Sequence, residues 1–226
     1  VTETLPLFPL GTVLLPGASL PLHIFEPRYR QLTVDLVTGV LPDRQFGVVS
    51  IREGWELGSD NVGSLRQIGC TALLREARRL NDGRFDIVTK GERRFKLISV
   101  DHKAAPYLVG EVEYLPDTPT PPPIADVLPL MAKSARAAHQ RYCAAAWHRE
   151  DWSAPPEETT HELLSYLLAG DCLLALEDKQ HLLEETSPAR RLRLIRRLLH
   201  LEAGILDALH AVPVPLSEFG HASNPN

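Results

Sequence analysis

The chain has 226 residues, of which 44% are hydrophobic and 23% charged, with a formal net charge of −5. That size allows one large domain or two ordinary ones, and the balance is that of a soluble globular protein. The acidic excess argues against a general nucleic-acid binder, and no apolar run approaches the roughly 18–20 residues of a membrane span.

The start, Val1-Thr2-Glu3-Thr4, lacks the basic and apolar regions of a secretory signal, and the absence of methionine reads as a processed or trimmed start. Cys70, Cys143 and Cys172 are odd in number and far apart. They fit ordinary thiols in a reducing compartment better than a disulfide framework, so the cytoplasm is the expected location.

The first element is Leu5-Pro6-Leu7-Phe8-Pro9-Leu10-Gly11-Thr12-Val13-Leu14-Leu15-Pro16-Gly17, followed by Leu20-Pro21-Leu22-His23-Ile24-Phe25-Glu26-Pro27-Arg28-Tyr29-Arg30. No helix survives that proline density, because each ring removes a donor and clashes with the preceding turn. Two or three short strands are expected, with prolines at starts, edges or bulges. Pro27 suits the first turn of a helix running to about residue 38. Strands follow at 46–51 and 68–76. Asn81-Asp82-Gly83 is a hairpin turn, and a polar/apolar alternation over 84–89 predicts its second strand. Gly91 is expected to break the run before strands at 94–100 and 107–115. Six to eight short strands with glycine and proline turns predict a barrel or rolled sheet.

Composition then shifts. Pro116-Asp117-Thr118-Pro119-Thr120-Pro121-Pro122-Pro123 reads as a semi-rigid linker. Residues 1–115 are thus expected to form a β-rich domain, 116–123 a linker, 124–212 a helical bundle and 213–226 a flexible tail. Four helices are expected: Ile124 to about Trp147, one opened by a Thr159-x-x-Glu162 capping box, one over 171–185, and one started by Ser187-Pro188.

The opening segment, Leu5 to Arg30, closely resembles the start of the N-terminal, substrate-binding domain of the Lon protease family. Val62-Gly63-Ser64-Leu65, Asp82-Gly83-Arg84-Phe85-Asp86-Ile87-Val88 and Arg93-Arg94-Phe95 resemble its middle. Leu164-Ser165-Tyr166-Leu167-Leu168, Asp178 to Glu184 and Arg190-Arg191-Leu192 resemble its helical end. The resemblance covers about residues 5–210. It implies an α+β fold, a PUA-like rolled sheet followed by a small bundle. It also implies a stand-alone form of a region that, in full-length Lon proteases, recognises substrates for an ATPase and a Ser/Lys peptidase that follow.

Neither activity has its residues here. Gly58 and Gly63 have phosphate-loop spacing, but Ser64 stands where a lysine must neutralise phosphate charge. Neither a Gly-x-Ser-x-Gly elbow nor a Ser-x-x-Lys pair occurs. His139 and Cys143 are four apart on a helix, a spacing that can hold zinc, yet two ligands make no site. A mostly buried thiol beside a surface imidazole is expected instead, with His148 a surface group.

Arg190, Arg191, Arg193, Arg196 and Arg197 form a basic cluster without the aromatic interleaving of single-strand binders, and read as a solvated helix face. Glu26, Arg28, Tyr29 and Arg30 are the candidate substrate-binding residues of the opening segment; the competing reading is that they pin the helix to the sheet. Trp55, on a glycine-rich loop, is the other candidate contact.

The expected function is non-catalytic recognition of exposed or unfolded polypeptide in a groove, at the junction of sheet and bundle, without cofactor or metal. It would serve as an adaptor for proteolysis or protein quality control, with a separate ATP-dependent protease as a candidate partner. Neither a membrane nor nucleic acid is an expected partner. A PUA-like RNA binder and an uncharacterised hydrolase are the alternatives.

Overall fold

A computed structural model of the chain describes residues 2–52, 64–146 and 154–209. Among the described residues six strands form one sheet: β1 Thr2–Leu10, β2 Ser19–Ile24, β3 Gln45–Ser50, β4 Ile68–Arg79, β5 Phe85–Asp101 and β6 Leu108–Tyr114. The spatial order is β2-β5-β4-β3-β1-β6, and a further β5–β6 pairing joins the sheet back on itself. Strands β1, β3, β4, β5 and β6 thus close a barrel, and β2 extends it along the first half of β5.

The prolines of β1 sit where this closure tolerates them. Residues 2–7 pair with β6 and residues 7–10 pair with β3. Pro6 and Pro9 therefore each lie in a half of the strand bonded on one side only, so the missing donor costs no ladder bond. Pro21 is placed similarly. Thr89 Oγ1 donates to Leu20 O at 3.0 Å, which turns the Leu20 carbonyl toward β5 and the donorless Pro21 nitrogen toward the outer edge.

Gly91 does not break its strand; β5 is continuous over 17 residues. The glycine serves a close backbone approach instead. Gly17 N donates to Gly91 O at 2.8 Å, Gly91 N donates to Ala18 O at 2.9 Å, and a Cβ at Gly91 would lie 2.2 Å from Leu15 O. The Asp82-Gly83 turn does form, with Gly83 at φ 81°.

Helix α1, Pro27–Thr38, spans the predicted bounds, with Pro27 in its first turn and Gly39 as a left-handed C-cap at φ 82°. The second half of the chain carries α2 Pro122–Ala125, α3 Leu128–Ala145, α4 His161–Gly170, α5 Leu176–Glu184 and α6 Pro188–Leu209. The single helix expected from Ile124 divides. Pro129 cannot donate back into a preceding turn, so α3 starts afresh with that proline in its first turn.

The capping box shifts too. Thr160, not Thr159, is the N-cap of α4, and its side chain makes no capping bond. Glu162 contributes a first-turn negative charge near the helix N-terminus instead. Helix α5 begins at Leu176 rather than 171, because Cys172 and Leu174 turn inward and are buried. Ser187 caps α6 as expected, accepting from Arg190 N at 3.4 Å. Residues 210–226, which include the expected tail at 213–226, lie outside the described residues.

Two apolar cores result among the described residues. Leu5, Leu7, Val49, Phe95, Leu97 and Val112 belong to the cluster that fills the barrel. A larger cluster runs from the outer barrel face (Phe8, Val48, Cys70, Leu74) through Tyr29, Leu32 and Leu36 of α1 into the bundle at Tyr142, Leu168, Leu192 and Leu199. The helical part thus shares a core with the sheet. Among the described residues, no helix is long and apolar enough to cross a membrane.

Candidate functional site

The seam between barrel and bundle is stitched by polar groups reaching across it. Arg66 of the barrel pairs with Glu177 of α5, and Gln180 Nε2 donates to Ile68 O at 3.1 Å. At the centre lies Asp117. Arg94 of β5 donates to its Oδ1 at 2.6 Å, and Arg191 of α6 donates to Oδ1 and Oδ2 at 2.7 and 2.6 Å.

Both guanidiniums are withdrawn from water, with side-chain exposures of 3% and 0%. Both make further hydrogen bonds. Arg94 reaches Leu183 O and Glu185 O, while Arg191 reaches Ser165 Oγ, Glu162 O and Glu185 O. Arg191 also lies 4.6 Å from the centre of the Tyr166 ring. Of the predicted basic cluster, Arg190, Arg193, Arg196 and Arg197 are exposed, but Arg191 is buried. It is a structural cation, not part of a solvated face.

Beside this lock a cleft of about 520 Å³ opens along the seam. Pro16, Tyr114, Leu115, Pro116, Leu163 and Tyr166 provide its apolar and aromatic walls. Glu92, Arg93 and Glu162 also line it, placing both signs of charge there, so net charge does not select a ligand. Arg93 stacks 3.6 Å above the Tyr114 ring, which holds that wall upright. Burial raises the Tyr114 phenol, with Arg93 partly offsetting it, and the hydroxyl stays protonated at neutral pH.

The opening motif is divided between core and surface. Glu26 is the N-cap residue of α1 without a side-chain capping bond; its carboxylate accepts from Arg28 Nε at 3.0 Å. Arg28 lies 4.6 Å from the Tyr29 ring centre. Tyr29 is buried and stacks on Phe8, with centroids 3.8 Å apart and planes 9° from parallel. Burial pushes its phenol up to about 12, with Arg28 pulling it back. Arg30 lies over the β4–β5 turn, where a Cβ at Gly83 would stand 2.6 Å from Arg30 Nη2. Phe25, missed in the sequence, is 61% exposed; a phenylalanine just after a strand and two residues before a helix-starting proline was the available signal. Trp55 and the Gly58/Gly63 pair lie outside the described residues.

His139 and Cys143 reverse their expected exposures. His139 is buried and Cys143 half-buried, with the sulfur 3.7 and 3.8 Å from the ring nitrogens. His148 lies outside the described residues. Among the described residues no group of three or more His, Cys, Asp or Glu side chains could hold a metal ion.

Burial lowers the His139 pKa, with Asp171 opposing the effect and Arg136 adding to it. The unfolded imidazole takes up its proton near about 6.5 while the folded one resists. Stability is therefore expected to fall as pH drops below that value toward the lower folded pKa. Thermal melts from pH 7 to 5 should show this slope, and His139→Gln should flatten it.

The family model of the ATP-dependent protease La (LON) substrate-binding domain matches residues 4–200. The Lon protease of Anaeromyxobacter dehalogenans is 27% identical over 217 residues, covering 91% of this chain and 24% of its own length. Lon protease 1 of Thermus thermophilus is 25% identical over 200 residues, covering 86% of this chain and 24% of its own length. The chain thus spans about a quarter of the curated relatives it matches. Among solved structures, the N-terminal domain of Mycobacterium avium complex Lon protease superposes with a TM-score of 0.63 at 20% identity, over 87% of this chain and 98% of that one. The Lon N-terminal domain protein from Xanthomonas campestris gives 0.56 at 28% identity, over 84% and 95%.

Proposed function

The chain belongs to the LON substrate-binding domain family, and on that premise we propose that it is a non-catalytic module that binds exposed or unfolded polypeptide in the seam cleft. The observation that carries this reading is the cleft itself, an open groove of about 520 Å³ walled by two prolines, two tyrosines and two leucines. Such walls suit an extended chain bearing apolar side chains, which binds by shape and area without a covalent step. Strand addition is a poorer mode here, because Pro21 removes a donor from the outer edge of β2. Phe25, with the Glu26–Arg28 pair and Arg30, offers a smaller second contact. Handing the bound segment to an ATP-dependent protease is the role such a module would serve.

The protein should suppress aggregation of a heat-unfolded model polypeptide without ATP. Leu163→Asp, which places a charge in the wall, should weaken binding about tenfold, or roughly 1.4 kcal/mol; because Leu163 also packs against the main core, binding is compared at a temperature where both proteins are folded. Fluorescence anisotropy with the labelled, unfolded polypeptide measures it. Absence of binding, together with turnover of a small ester or peptide, would sink the reading in favour of a hydrolase.

A further inference from the structure

Helix α6 carries a second groove, away from the residues that line the seam cleft. Arg190, Arg193, Arg196, Arg197 and His200 line a depression of about 570 Å³ with Leu194 and Glu185. At 1.5 Å per residue the stretch from 190 to 200 is roughly 15 Å long, and positions 190, 193, 197 and 200 fall on one stripe of the helix. All four arginines are exposed.

Among the described residues little answers their charge: Arg190 lies 4.0 Å from Glu185, and Arg196 reaches the neutral Ser134 Oγ at 3.4 Å. Arg193 and Arg197 have no hydrogen bond or ion pair among the described residues. They are four apart, a spacing at which like charges repel. In a chain of net charge −5, Arg193 and Arg197 thus stand side by side without a counter-charge among the described residues.

We infer that this groove docks a short acidic segment of polypeptide. Guanidinium forks match carboxylates geometrically, and roughly 15 Å accommodates four or five residues of extended chain at about 3.3 Å each. A nucleic acid fits less well. Among the described residues the lining holds no aromatic ring on which a base could stack, and Glu184, Glu185 and Glu202 lie close along the chain, interrupting a continuous phosphate track. The groove therefore adds a charge preference to the recognition of polypeptide, on a surface separate from the cleft.

The test uses the full chain and a labelled peptide bearing a run of glutamates in a Gly/Ser frame, beside its glutamine counterpart. Anisotropy at near-physiological salt should show the acidic peptide binding at least about tenfold tighter, and raising the salt should abolish the difference. Arg193→Glu with Arg197→Glu should remove the preference while leaving the melting temperature unchanged or higher; Leu163→Asp should leave it intact. Equal binding of both peptides, or survival of the preference in the double variant, overturns the inference. So does tighter binding of a single-stranded oligonucleotide of matched charge, which would assign the groove to nucleic acid.

Discussion

Asp117→Ala is expected to cost about 3–5 kcal/mol of stability, the range for removing one partner of a buried ion pair. The size follows from what is left behind. Arg94 and Arg191 have almost no contact with water, and their remaining acceptors are neutral carbonyl and hydroxyl oxygens. Two adjacent guanidiniums would then face each other without a counter-charge. Asp117 retains 25% side-chain exposure, so water entering at that point places the cost toward the lower end of the range. Urea unfolding reads it as a lowered midpoint with an unchanged slope. Asp117→Asn, which keeps an acceptor but not the charge, should fall between wild type and alanine. Arg191→Lys should also destabilise, since an ammonium cannot reproduce the two-pronged contact with both carboxylate oxygens. A shift below 1 kcal/mol for alanine would mean that the lock is incidental to the seam.

Gly91→Ala should cost about 3 kcal/mol, at the upper end of ordinary overpacking. A Cβ there would stand 2.2 Å from Leu15 O and 3.0 Å from Leu15 C. The obstacle is backbone, which cannot rotate away as a side chain can. Relief requires separating two segments held by the Gly17–Gly91 and Gly91–Ala18 hydrogen bonds. Gly11→Ala provides the control, because no atom within 4 Å would meet its Cβ. Equal melting temperatures for the two variants would refute the close-approach account.

Much of the fold is written locally. Pro27 and Gly39 delimit α1, Asp82-Gly83 turns the β4–β5 hairpin, and Ser187-Pro188 starts α6, because caps and turns depend on one or two residue types at fixed positions. Gly91 misled because the same residue serves two purposes, and only the position of the Leu15–Ala18 backbone distinguishes them. The lock was harder to read. Asp117 is separated from Arg94 by 23 positions and from Arg191 by 74, and such a pairing leaves no trace in local periodicity. One signal did exist: Arg191 shares a helical stripe with Ile195, Leu198 and Leu199, an apolar neighbourhood that its four arginine companions obscured. The cleft was legible only as a junction between two kinds of chain; its walls come from the loop before β2, the end of β6, the proline stretch and α4.

The pairing of β1 also sets a timetable. Thr2 lies opposite Glu113, and Leu7 is opposite both Gly47 and Leu108. Emerging from a ribosome at about 5–20 residues per second, the first strand waits on the order of ten seconds for its last partner. Leu7, Phe8 and Leu10 lack their strand partner until β3 has emerged, and Leu5 waits longer for β6, leaving a short apolar segment of the kind that nascent chains join across molecules. Pro6 and Pro9 deny a neighbour a continuous ladder along either side of that segment, so the residues that shape the finished barrel also protect the strand until the barrel can close.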